Sequence, residues 1–147
     1  MSAINSRREF KRSIFMFIAD SLSTLSTCKR REVGCVLVDK RDRIISVGYN
    51  GVASGAVHCT DIPCKGSQLL SGEGLDLCEV IHAEANALLV CEKPFEIVAC
   101  YTTTAPCIHC VKLLANTSCQ EIILKDAYPH KEAEKLWLSL GRLWSRI

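Results

Sequence analysis

A chain of 147 residues is close to the commonest size for one folded domain, and with 48% apolar residues it can bury a core and does not read as disordered. Its net charge is only +2 and its basic residues are scattered, which gives little electrostatic reason to expect tight binding to nucleic acid. No stretch approaches the roughly 20 consecutive apolar residues of a membrane span, so no membrane partner is expected.

The first element is an amphipathic helix: Phe10, Ile14, Phe17, Ile18, Leu22 and Leu25 recur at helical spacing. The apolar run Ile14 to Ile18 is too short for a signal-peptide core, and Asp20 follows it. Val33–Asp39 and Arg43–Tyr49 read as two strands joined through Lys40-Arg41-Asp42, an antiparallel hairpin. The glycine-rich segment Asn50 to Asp76 has no sustained period. A loop that long in a small domain is functional or is held by something other than its own secondary structure.

A second helix is expected from about Glu79 to Cys91, with Ile81, Ala85, Leu88 and Leu89 on one face. It ends before Lys93-Pro94. Glu96–Thr103 is the next strand, rich in β-branched residues. Pro106 suits the first turn of a third helix, which continues through Val111, Leu113, Leu114 and Ala115. Glu121–Leu124 is a short strand, and His130–Trp144 reads as a last helix. The order α-β-β-α-β-α-β-α predicts one domain over residues 1–147, a three-layer α/β/α sandwich on a mixed sheet of about five strands.

Ten cysteines in a chain without a secretory signal point to reduced thiols, metal and a cytoplasmic setting, and away from a disulfide framework. Cys35, Cys91, Cys100 and Cys119 sit in or beside apolar segments and read as small buried hydrophobes. The chemistry lies in two other segments, His82-Ala83-Glu84 and Pro106-Cys107-Ile108-His109-Cys110. A catalytic zinc takes three protein ligands and keeps a fourth position for water. His82, Cys107 and Cys110 supply one imidazole and two thiolates. Both cysteines stand at a predicted helix start, where a thiolate is favoured. Water on such a zinc has its pKa lowered towards neutrality and attacks as hydroxide. A carboxyl group beside the metal but not bound to it can then carry protons to a ring nitrogen and to a departing amine. Glu84, two residues past His82, suits that role, and a structural zinc would have no use for it.

H-x-E followed by P-C-x-x-C is the signature of zinc nucleobase deaminases. The stretches Cys28-Lys-Arg-Arg-Glu-Val33-Gly34-Cys-Val-Leu-Val38, Gly48-Tyr49-Asn50-Gly51 and Cys78-Glu-Val-Ile-His82-Ala-Glu84-Ala-Asn86-Ala carry the likeness further. Over about residues 10 to 130 the chain resembles the deoxycytidylate deaminase family. The resemblance implies hydrolysis of dCMP to dUMP and ammonia, supplying dUMP for dTTP synthesis, with hydroxide attacking ring carbon 4 and Glu84 shuttling protons. It also implies a homo-oligomer, commonly a hexamer, with dCTP and dTTP as possible effectors. Asn50 inherits a contact to the deoxyribose, Tyr128 a place lining the nucleotide pocket, and Ala83 a place in the substrate site. Asn50-Gly51 has a second reading as a simple turn pair, and Tyr128 one as ordinary packing.

Some members of the family hold a second, structural zinc near the long loop, and Cys28, Cys59, Cys64 and Cys78 are four candidate thiolates for one, with His58 able to replace a cysteine. Arg30, Arg31, Lys65, Lys93, Lys125, His109 and Lys131 stand near site-forming segments, and none is singled out for the phosphate. Rival readings keep the chemistry and change the substrate to dCTP, cytidine or 5-methyl-dCMP, or make the chain a nucleic-acid editing deaminase. A further rival is a zinc module without catalysis. The close KLWLSLGRLWSRI departs from a strand-forming end, which puts the last sheet edge in question.

Overall fold

The computed structural model describes residues 2–147. Five strands form one sheet in the order β2-β1-β5-β6-β7. They are β1 (Gly34–Val38), β2 (Ile44–Tyr49), β5 (Ala99–Thr104), β6 (Glu121–Asp126) and β7 (Leu143–Arg146). β1 pairs antiparallel with β2 and β5, whereas β5–β6 and β6–β7 are parallel, so the sheet is mixed as expected. A second ribbon pairs β3 (Gly51–Val52) with β4 (Val80–Ile81). The β1–β2 hairpin turns where the charged triplet predicts it. Asp39 Oδ1 accepts from the backbone N–H groups of Arg41 (2.8 Å) and Arg43 (3.0 Å), and Asp42 takes the positive φ the turn needs.

Strand alternation sorts the sheet's side chains into two cores. On one face α1 (Ala3–Ser23) lays Phe15, Met16 and Ala19 against Val36, Val38, Ala99, Tyr101 and Ile123. On the other, α2 (Ala83–Leu89), α3 (Ile108–Ala115) and α4 (Glu132–Ser139) cover Cys35, Leu37, Cys100, Ile122 and Leu124. The result is the three-layer sandwich the element order predicts. Trp137 of α4 is fully buried, its Nε1 donates to the Leu143 carbonyl at 2.8 Å, and the Arg142 guanidinium lies over its ring.

Four element predictions need correction. In α1 the stripe Phe10, Ile14 and Phe17 faces outward, and Phe10 and Phe17 are 66% and 68% exposed. The helix is apolar on two sides, and the side chosen carries Ala19, small enough to let the helix close on the sheet. The second helix begins at Ala83 and not near Glu79, because the β-branched pair Val80–Ile81 is drawn into the ribbon with Gly51–Val52. Its buried face is Ala83, Glu84 and Ala87, while Leu89 is exposed. The last helix stops at Ser139, because Gly141 adopts a φ of +74° that turns the chain back. Leu143–Arg146 then closes the sheet as β7, so the questioned edge is a strand after all.

Two glycines set how closely helices approach this sheet. A Cβ on Gly34 would lie 1.9 Å from the Ala19 carbonyl oxygen, and one on Gly48 would lie 2.4 Å from that of Ala83. Both obstacles are backbone and cannot swing aside. Gly34→Ala is therefore expected to lower unfolding free energy by about 3 kcal/mol or more, read as a shift of the urea midpoint at unchanged slope.

Candidate active site

His82 and Cys107 are each the residue just before a helix, in extended backbone, and neither side chain caps its helix. The imidazole and thiol are thus free to face one another. Pro106 stands one residue ahead of this N-cap, outside the first helical turn predicted for it, where its fixed φ suits the extended approach. His82 Nδ1 is 3.4 Å from Cys107 Sγ and 3.5 Å from Cys110 Sγ. A tetrahedral zinc with Zn–S of about 2.3 Å and Zn–N of about 2.0–2.1 Å separates its nitrogen and sulfur donors by about 3.5 Å. The donor set and its spacing fit that ion. Among the described residues this trio alone brings three metal-ligating side chains within 4.8 Å of one another. Cys107 accepts from the Cys110 thiol and lies beside His82, which together push its own thiol down to about 4. Hydrogen bonding to Cys107 in turn raises His82. The same bond and burial push the Cys110 thiol up, so the trio favours one thiolate, at Cys107, and the Cys110 thiol would lose its proton to the metal.

Glu84 follows in the first turn of α2 and is 3% exposed. Burial raises its carboxyl above the ordinary range, against the lowering effect of His82. Its Oε1 is 2.8 Å from the Thr102 hydroxyl on β5. Glu84, His82 and Cys107 line a cleft whose wall also includes Ala83, Asn50 and Tyr128. The structure therefore brings every predicted catalytic and substrate-contacting residue to one place.

Neither Asn50 nor Gly51 has a positive φ, so the turn-pair reading fails. Asn50 is buried, donates to the Arg31 carbonyl (2.6 Å) and accepts from the Val33 N–H (2.9 Å), pinning the strand entry to the cleft. Of the seven cations considered, only Arg30 and Arg31 line the cleft. Lys125 pairs with Asp20, Lys93 with Glu96, and His109 lies exposed on α3. Arg30 donates to the carbonyls of Leu70 and Glu73 and latches the long loop across the cleft. Arg31 Nη1 and Tyr128 Oη are the two buried side-chain polar atoms without a partner among the described residues, and both belong to this cleft.

Cys28, Cys59 and Cys64 are buried together with Val80, and Cys78 packs against them. Cys59 Sγ and Cys64 Sγ are 3.8 Å apart. His58, offered as a substitute ligand, is exposed. Sequence reasoning missed Thr102 and did not single out Arg31. The signal for the first was three threonines in a strand otherwise apolar.

A family model for the cytidine and deoxycytidylate deaminase zinc-binding region matches residues 10–125. The chain is 36% identical over 120 residues to a deoxycytidylate deaminase of Schizosaccharomyces pombe, aligning 79% of this chain and 37% of that protein. It is 36% identical over 115 residues to the deoxycytidylate deaminase of Mycobacterium phage D29, aligning 74% of this chain and 89% of that one. In structure it resembles the dCMP deaminase of cyanophage S-TIM5. The apo form gives a TM-score of 0.72 at 26% identity, covering 92% of this chain and 96% of that one. The form solved with dCMP and dUMP gives 0.71 at 25% identity, covering 100% and 99%. Since the match runs through both metal-ligating motifs and the strands that carry them, this chain belongs to the cytidine and deoxycytidylate deaminase family.

Proposed function

We propose that this protein hydrolyses dCMP to dUMP and ammonia, as one catalytic domain. The observation that carries the reading is the pairing, in one cleft, of a zinc-spaced His/Cys/Cys trio with a buried carboxyl that is not part of it. His82, Cys107 and Cys110 would hold the zinc, which when bound supplies the Lewis acidity that readies a water for attack. Glu84 takes a proton from that water, delivers it to the ring nitrogen beside carbon 4, and serves the departing amine in the same way. Ala83, first in α2, offers a backbone N–H that has no partner within its helix. Asn50 spends one donor and one acceptor on the backbone, which leaves one of each for the deoxyribose hydroxyl. The unpartnered Arg31 Nη1 and Tyr128 Oη support placing the phosphate at their end of the cleft, since a buried donor left unpaired is costly until an anion meets it.

A second, structural zinc on Cys28, Cys59, Cys64 and Cys78 belongs to the same reading. Its support is the packing of the four residues against one another and the Cys59–Cys64 separation, which matches one edge of about 3.8 Å in a four-sulfur tetrahedron; no three of the four sulfurs lie within 4.8 Å of one another, so the others would have to draw in on binding. The exposed stripe Phe10, Ile14 and Phe17 supports self-association, for which a hexamer is our reading. The ten free cysteines, and the absence of any described helix long and apolar enough to cross a membrane, accord with a cytoplasmic setting.

Purified protein assayed by absorbance is expected to turn over dCMP in preference to dCTP, deoxycytidine and 5-methyl-dCMP. Failure on dCMP with zinc bound would refute the assignment. Glu84→Ala is expected to keep its zinc and fold while losing about 10²-fold or more in kcat. Arg31→Gln is expected to raise KM for dCMP by about tenfold or more and to leave deoxycytidine unaffected. Elemental analysis is expected to find two zinc ions per chain, falling to one in Cys59→Ala; a single zinc in the unaltered chain would remove the structural site.

A further inference from the structure

Thr102 belongs to neither metal-ligating motif, yet it is the side chain that holds Glu84. It lies within β5, fully buried, with its Oγ1 2.8 Å from Glu84 Oε1 and 2.8 Å from the backbone oxygen of Thr104. A hydroxyl has one proton to donate and two lone pairs with which to accept, whereas a carbonyl only accepts. Thr102 therefore cannot donate to both neighbours at once. The hydroxyl lies 2.8 Å from each and so ties the Glu84 carboxyl to the backbone of β5.

We propose that Thr102 is a positioning residue that fixes where the Glu84 carboxyl stands in the cleft. The inference rests on the deaminase reading given above. The placement of Thr102 favours it. β5 is paired on both sides, with Thr102 opposite Cys35 of β1 and Leu124 of β6, so the hydroxyl is fixed by a sheet interior and not by a loop. Buried threonine carries a cost that valine of the same shape would not, and it is tolerated where the hydroxyl has partners. Both partners here belong to the site: one is Glu84, and the other is Thr104, which lines the cleft. Thr103 cannot stand in, because strand alternation turns it to the opposite face, where its Oγ1 accepts from the Gly34 N–H at 3.1 Å.

The test compares Thr102→Val, Thr102→Ser and Thr102→Ala with the unaltered zinc-loaded protein on dCMP. Valine keeps the shape and loses the hydroxyl. Serine and alanine both lack the methyl and differ from each other in the hydroxyl alone, which keeps the comparison valid should valine pack badly. Valine and alanine are expected to lower kcat by roughly 10- to 100-fold, with KM changed by less than about twofold, and serine to restore most of the rate. A kcat for the valine variant within about twofold of the unaltered protein, a loss confined to KM, or a serine variant as slow as alanine would each overturn the proposal. Should the unaltered protein fail to turn over dCMP, the deaminase reading falls and this inference falls with it. Normal turnover by both the unaltered and the valine proteins overturns this inference alone.

Discussion

The costliest demand this sequence makes on its fold is the burial of Glu84. A carboxyl taken out of water is expensive unless dipoles and hydrogen bonds replace its hydration. Here the replacement comes from the first turn of α2, where unpaired N–H groups favour negative charge, and from the Thr102 hydroxyl below. Both work only if α2 lies very close to the sheet. Gly48 allows that approach, since any side chain there would strike the Ala83 carbonyl, and Ser46 on the same strand donates to the Ala87 carbonyl at 2.6 Å. Gly48-Tyr49-Asn50-Gly51 and His82-Ala83-Glu84 are thus two sides of one packing contact. That contact is why the His82 imidazole sits at the helix start, facing Cys107 and Cys110.

Much of this was legible in the residues alone. The donors of the metal trio are named by type and spacing, because few side chains bind zinc and short spacings at helix starts leave few geometries. The layered architecture followed from the order of periodic segments. What failed was the choice between local alternatives of similar propensity. Val80–Ile81 extends a helical pattern as readily as it forms a strand, and pairing with Gly51–Val52, far away in sequence, decides it. The outward stripe of α1 and its inward stripe are both helical in period, so periodicity alone could not choose between Phe17 and Phe15. Leu143–Arg146 looked like helix because nothing local says that β6 has a free edge beside it.

The cleft's far wall is built by a different logic. Residues 53–79 have no regular element, and this segment is held by point contacts. Arg30 grips the carbonyls of Leu70 and Glu73, and the Gly66 N–H donates to the Leu77 carbonyl at 3.1 Å. The cysteines that start and end the segment's packing, Cys28 and Cys78, line the cleft themselves. The loop's packing and the shape of the cleft are therefore coupled through Cys28 and Cys78, which belong to both. Arg30 and Arg31, adjacent in sequence, divide the labour: one is committed to loop carbonyls, and the other keeps a buried nitrogen without a protein partner.

The distribution of buried polarity argues that the site and the core were shaped together. The buried polar side chains among the described residues are Ser46, Asn50, Glu84, Thr102, Thr103 and Thr104. Asn50, Glu84 and Thr104 line the cleft, Thr102 holds Glu84, and Ser46 bonds the helix that carries Glu84. Thr103 accepts from the N–H of Gly34, the residue on which α1 closes. The sheet's opposite face, under α1, is meanwhile packed with apolar and aromatic groups such as Phe15 against Tyr101. The α1 face thus serves packing alone, whereas the other face carries both a core and the candidate site. β5 joins them, alternating Tyr101 into the apolar layer and Thr102 into the reactive one. A one-residue slip of β5 would exchange those side chains and disrupt both at once, so the register that makes the core also sets the side chain that meets Glu84.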